Sequence, residues 1–288
     1  MSDLPRNTSR RASIVGDRAL STSDVTKKAK IGSDELTAEA LKIVEQARTE
    51  GITLRVTGGV AIFYLAEKEP AIRQVLLRNR KAGSSGAIFA DIDLVGYSKQ
   101  TKLLNKLLLE ELHFQKDKII NALFGDRRRI YYHPQGTYHI DILLDVLEFN
   151  HDIDIRGRLE LAYPNLNAAD LLLTKLQIHY INEKDLLDII VLSVLDGWVA
   201  EKDIQRVVEI LSDDWDFYYE AVNNLKLASE MAKKMSQEGK ITQLRLSTER
   251  INSLMQTLEQ APKTKKWEKR AKKGPDKAWW REIEDVLR

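Results

Sequence analysis

Hydrophobic and polar positions follow two rhythms along this chain. From residue 33, "SDELTAEALKIVEQARTEG" sets Leu36, Ala40, Ile43, Val44 and Ala47 on one helical face, with Ser33 as the expected N-cap and Gly51 as the stop. "ITLRV" predicts a strand that ends at Gly58 and Gly59, and "VAIFYLAEK" a helix, followed by another over 70–79. After the loop "RKAGSSGA", the short apolar run in "FADIDLVGY" (89–97) reads as buried strand. Helices are expected over "SKQTKLLNKLLLEEL" and near 117–124. "RRIYYH", "PQG" and "TYHIDILLDVLEF" predict a hairpin turning at Pro134 and Gly136, and "IDIRGRLELAYP" a further strand.

After Pro164 the period-two pattern stops. "NAADLLLTKLQIHYINEKDLLDIIVLSVL" predicts one long amphipathic helix or a broken pair, and three more helices follow, divided at Ser212 and Gly239 and ended at Pro262. The expected class is α+β: a mixed sheet with flanking helices over 33–163, then a helical domain over 164–261. Residues 1–32 read as a flexible basic tail, and 262–288 as a second basic tail containing tryptophans.

Composition narrows the setting. The 288 residues contain no cysteine, which removes disulfides, thiol catalysis and cysteine metal sites and suits a cytoplasmic protein. No run approaches the roughly 18 apolar residues of a membrane span, and the N-terminus lacks an export-type apolar segment, so no membrane association is expected. The net charge of +2 conceals +4 over 1–32 and +5 over 263–288, which leaves −7 on the body between them.

Asp91 and Asp93 carry the first chemical signal. Alternation in a strand points both the same way about 7 Å apart, and buried carboxylates need a positive partner. Hard cations such as Mg²⁺ take such oxygens together with the phosphates of a substrate. Gly58 and Gly59, between a strand and a helix, allow backbone N–H groups to approach a phosphate. Asp141, alternating with Ile140 and Ile142, offers a third carboxylate from the next hairpin; Asp145 shares its face, but Asp141 lies deeper in the apolar segment. Lys175 and His179 fall on one helical face, followed by Asp185 and Asp188. Lys175 suits either a triphosphate or a structural ion pair with Asp170 or Asp185.

"TGGVAIFYL", "DIDLVG", "YHIDILLD" and "LLLTKLQIHYINEKDLLDI", in that order, resemble the polymerase-β-like nucleotidyltransferase superfamily, most closely its abortive-infection toxin branch. The resemblance spans residues 52 to about 192. It implies an enzyme that transfers a nucleoside monophosphate from an NTP to a hydroxyl, with two Mg²⁺ ions on Asp91, Asp93 and Asp141, and with Gly58, Gly59 and Lys175 holding the nucleotide. The toxin branch further implies an antitoxin protein as partner. Where the family usually has Ser or Thr just before its D-x-D, this chain reads "IFA" over 88–90, with Ser84 and Ser85 upstream. That departure admits a catalytically silent nucleotide- or RNA-binding regulator. The acidic body equally admits a nucleotidyltransferase acting on a cationic small molecule of antibiotic type.

Two aromatic clusters remain. Trp215, Phe217, Tyr218 and Tyr219 read as core packing or as a base-stacking surface. Between 263 and 281, nine Lys/Arg and two acids interleave with Trp267, Trp279 and Trp280. That mixture fits contact with tRNA or another RNA, and equally fits tryptophans docked back on the body.

Overall fold

The centre of the molecule is a five-stranded mixed sheet, seen in a computed structural model that describes residues 31–80, 88–195, 198, 201–239 and 243–283. The N-terminal segment over 1–30, Ser84 and Ser85 lie outside the described residues. Helix α1 (Ser33–Thr49) leads to strand β1 (Leu54–Val56) and helix α2 (Gly58–Leu65), then α3 (Pro70–Asn79) and β2 (Ile92–Gly96). Helix α4 (Thr101–Asn105) runs into a π-turn over Lys106–Glu111 before β3 (Gln115–Lys116) and α5 (Lys118–Leu123). The hairpin strands β4 (Arg128–Tyr132) and β5 (His139–Leu144) complete the sheet in the order β1-β2-β5-β4-β3. All neighbours run antiparallel except β2 and β5, which are parallel.

Local chemistry explains most of the boundaries. Gly51 takes φ +73° directly after α1, as a helix stop requires. Gly32, not Ser33, occupies the N-cap of α1; Ser33 Oγ instead accepts from the Ile88 N–H at 3.0 Å, tying the helix start to the segment before β2. Most of the strand expected from "IDIRGRLELAYP" does not form. Only Asp152–Asp154 (β7) pairs, with Val146–Glu148 (β6), in a separate ribbon, and a turn-rich segment carrying Gly157 at φ +69° follows.

The helical half packs directly on this unit. The long apolar pattern resolves into a broken pair, α6 (Ala168–Leu176) and α7 (Glu183–Val194), with Asn167 and Asn182 capping their N-termini. Asn224 donates to the carbonyls of Leu176 and Ile178 at 3.0 and 2.8 Å, satisfying groups the end of α6 leaves open. Then come α8 (Glu201–Asp213), α9 (Trp215–Gly239) and α10 (Gln243–Gln260). The break between α8 and α9 falls at Asp214, whose carboxylate accepts from the Phe217 N–H, rather than at Ser212. Among the described residues no helix is long and apolar enough to cross a membrane.

The C-terminal segment folds back. Helix α11 (Lys265–Ala271) sets Trp267 edge-on to Tyr218 at 5.2 Å, and Arg270 lies over Trp215 while pairing with Asp216 at 2.6 Å. Trp279 donates to Glu220 at 2.8 Å, and Trp280 stacks on His179 with 3.7 Å between ring centres. Of the two expectations for these tryptophans, docking on the body is what the fold displays. The cluster at 215–219 is likewise packed, with Phe217 1% and Trp215 7% exposed.

His151 joins the two halves. Its ring stacks on Phe217 at 4.8 Å and 5°, it is 7% exposed, and burial pushes its pKa down to about 4. Below the ordinary value near 6.5 the unfolded chain takes up a proton that the folded chain refuses, so stability falls as pH drops from there towards about 4 and then levels off. Across that window urea denaturation should show the natural protein losing about 2–3 kcal/mol relative to His151→Phe, a comparison in which the titration of every other group cancels.

Candidate active site

Parallel pairing of β2 with β5 builds the site. The register sets Ile92 beside Ile140, Asp93 beside Asp141 and Leu94 beside Ile142. Alternation sends Ile92, Leu94, Ile140, Ile142 and Leu144 into the core. Asp93, His139, Asp141 and Leu143 take the other face and line a cavity of about 410 Å³. Asp91 stands one residue before β2 on the rim of that cavity, its side chain 43% exposed, with His139 Nε2 3.5 Å from its Oδ2.

Helix α2 starts at the same point. The Thr57 N–H donates to the Asp93 carbonyl at 3.0 Å, which holds the first turn of the helix against β2. Gly58 lines the cavity with φ +63°, and a Cβ there would collide with Asp93 Oδ2. Only glycine meets both conditions. Gly59 has a different role: it is not among the lining residues, and a Cβ on it would collide with the Arg80 guanidinium and with Phe89.

The facing wall comes from α6, where Thr174, Lys175, Gln177 and Ile178 line the cavity. Lys175 Nζ lies 2.7 Å from Asp185 and 2.9 Å from Asp188, and the fully buried Asp188 also takes Arg80 Nη2 at 2.5 Å. Burial alone would lower the pKa of the Lys175 ammonium, but the charges of Asp188 and Asp185 outweigh it and raise the net value, so the lysine stays cationic. Asp170, the other expected partner, instead pairs with Arg158 at 2.6 Å and Arg206 at 3.6 Å.

Two titratable lining residues escaped the sequence reading. Arg128, opposite Leu143 on β4, grips Asp141 with Nε 3.0 Å from both carboxylate oxygens and Nη2 2.6 Å from Oδ2. His139 shares the cavity face of β5 two residues before Asp141. The hairpin register held the signal for Arg128, since strand residues diagonal to an aspartate lie within reach of it. Asp145 is excluded from the cavity. It sits at φ +60° and accepts from the Ser98 N–H at 3.2 Å and from the Ser98 hydroxyl. A second D-x-D in the sequence, Asp152 and Asp154, also lies elsewhere, with Asp154 paired to Arg156 and Asp152 to Arg281 at 2.6 Å.

The chain's end fastens the rim. Arg281 donates from Nε to the carbonyl of Phe149 at 3.0 Å, and Phe149 lines the cavity. Trp280 covers His179, next to the lining residue Ile178. Gln177 accepts from the Asn150 N–H at 2.9 Å and His179 N donates to Asn150 Oδ1 at 3.1 Å, so the β6–β7 turn and the end of α6 are joined directly as well.

No protein-family model, curated protein or solved structure matches this chain. The chemistry of the cavity therefore rests on its own geometry.

Asp93 is the exceptional group. It lies deep in the protein yet opens onto the cavity, and burial pushes its pKa up to about 8, with the charges of Asp91 and Asp141 adding to the effect and Lys175 and Arg128 opposing it. Beside it the Thr57 hydroxyl is buried without a partner. Asp91, Asp93 and Thr57 are hard oxygen donors of the kind Mg²⁺ takes. Both oxygens of Asp141 are occupied by Arg128, and among the described residues no group of three or more His, Asp or Glu side chains is arranged to hold a metal.

Three substitutions test this construction. Gly58→Ala should destabilise by at least ~2 kcal/mol, because it combines left-handed strain with the collision at Asp93. Gly51→Ala, with φ +73° and open space around it, should lose only about 1–2 kcal/mol in the same thermal melts. Asp188→Ala, which strands Arg80 in the interior and leaves Lys175 with Asp185 alone, should lose about 3–5 kcal/mol by chemical denaturation.

Proposed function

We propose that the chain is a Mg²⁺-dependent nucleotidyltransferase, with a polymerase-β-like arrangement of its sheet, that moves a nucleoside monophosphate from an NTP to a hydroxyl acceptor. The observation that carries this reading is the Asp93 carboxylate, uncompensated and held between Asp91 and Asp141 at the start of α2. A divalent cation that displaces the Asp93 proton would meet Asp91 and Asp93 as carboxylates, with Asp141 already paired to Arg128.

Asp91 and Asp93 would hold that ion. Bound there, Mg²⁺ supplies charge neutralisation and polarisation at the phosphates. The first turn of α2, opened by Gly58, offers N–H groups to the triphosphate, and Lys175 places a fixed positive charge on the facing wall. Asp141 exchanges Arg128 for the acceptor hydroxyl and takes its proton as the new O–P bond forms at the α-phosphate. The bond to pyrophosphate breaks in the same displacement, and Arg128, released, meets the phosphate charge.

For the acceptor we favour tRNA or another RNA. With Trp267, Trp279 and Trp280 packed inward, the exposed Lys265, Lys269, Lys272, Lys273 and Lys277 would contribute phosphate contacts rather than base stacking. One observation favours a second reading, a silent nucleotide-binding regulator: Arg128 neutralises the carboxylate that would serve as base.

The test is incubation with each α-³²P-labelled NTP, Mg²⁺ and total RNA. Label should enter RNA and fall by ~100-fold or more in Asp93→Asn. In parallel melts Mg²⁺ should raise the Tm of the natural protein and leave that of Asp93→Asn unchanged. A Mg²⁺-dependent rise in Tm with no incorporation into any acceptor supports the silent reading. Neither response removes the assignment.

A further inference from the structure

Helix α2 has a cavity at each end. Gly58 opens into the one described above; Tyr64 and Leu65, about 9 Å further along the axis, border a second of about 400 Å³. Its floor is apolar, from Leu192 and Leu195 at the end of α7. Aromatic rings wall it: Tyr64, Tyr163 and Trp198. At its edge Asn165 is 4% exposed, and its Oδ1 is buried with no hydrogen-bond partner. Glu67 and Glu69 stand at the mouth beside Lys68, so the lining carries a net negative charge.

These features define a ligand. Aromatic walls favour a flat ring, because stacking on them is effective whatever the ring's substituents. An orphaned amide oxygen is expensive to bury and calls for an N–H donor. Two glutamates, together with the carbonyl end of α2, disfavour an anion. A volume of about 400 Å³ suits a molecule the size of a base with its sugar. We propose that this cavity is a second binding site, specific for an unphosphorylated nitrogen heterocycle with an N–H donor, of which a nucleoside is the biological class. The ring stacks between Tyr64 and Tyr163 and donates to Asn165 Oδ1. The proposal is independent of the nucleotidyltransferase reading, since it uses none of the carboxylates of the first cavity.

The experiment is calorimetric titration of the full chain with adenosine, AMP and benzamidine, without Mg²⁺ or NTP. Adenosine should bind saturably in the micromolar range, and AMP at least tenfold more weakly. Tyr163→Ala, at a residue 47% exposed, should weaken adenosine at least tenfold. Glu67→Gln/Glu69→Gln should narrow the gap between AMP and adenosine. Asp91→Ala/Asp93→Ala should leave adenosine binding intact, which separates this site from the first. Three results would overturn the proposal: no saturable adenosine binding up to millimolar concentration, binding of benzamidine alone, or adenosine binding that survives Tyr163→Ala and disappears in the Asp91/Asp93 variant.

Discussion

Parallel pairing of β2 with β5, in the register that sets Asp93 beside Asp141, is the constraint on which the rest of the molecule depends. A slip of one residue in β2 would drive Asp93 into the core and expose Ile92, and one in β5 would do the same to Asp141, Ile140 and Ile142. The burial of those isoleucines therefore fixes the position of the carboxylates. Apolar packing on one face of two strands is what confines negative charge to the other.

Concentrated charge then shapes the surroundings. Arg128 reaches Asp141 from the neighbouring strand, and Lys175 approaches from α6 but is itself anchored by Asp185 and Asp188, with Arg80 completing a four-membered network. That network links α3, α6 and α7, so one cluster orients the cavity's far wall and packs the helical half onto the sheet. Buried ion pairs are weak sources of net stability but strong determinants of arrangement once formed, because removing one member leaves another uncompensated. Asp93 stands outside every such pair, which makes it the group most altered by any cation that enters.

Much of this was legible in the sequence, and the exceptions have physical causes. Strict alternation in "HIDILL" exposed both the strand and its cavity face, and the Gly58–Gly59 pair marked the junction of strand and helix, though not the positive φ that Gly58 adopts. Asp141 and Asp145 could not be separated by alternation, since both lie on one face; the left-handed turn at Asp145, which ends the strand's periodicity and hands that carboxylate to Ser98, decided it. Arg128 and His139 were missed because their roles arise from pairing across strands, not from spacing along one. The strand expected after Asp154 failed because the chain turns at Gly157, with φ +69°, and only Pro164–Leu166 comes back to the edge of β1. The tryptophans near the C-terminus were ambiguous because stacking on a base and stacking on His179 make the same demand on composition.

Arg281 and Trp280 have a consequence for the order in which the molecule is made. The carboxylates, the glycine turn and Lys175 all lie within residues 58–175, whereas the contacts that fasten Phe149 and His179 at the cavity's rim come from residues 280 and 281. On a ribosome the reactive groups thus emerge long before the clasp that holds their enclosure. Until residues 280 and 281 are made, the rim is held by the bonds of Asn150 to Gln177 and His179 alone, and the aromatic and guanidinium clasp is added last.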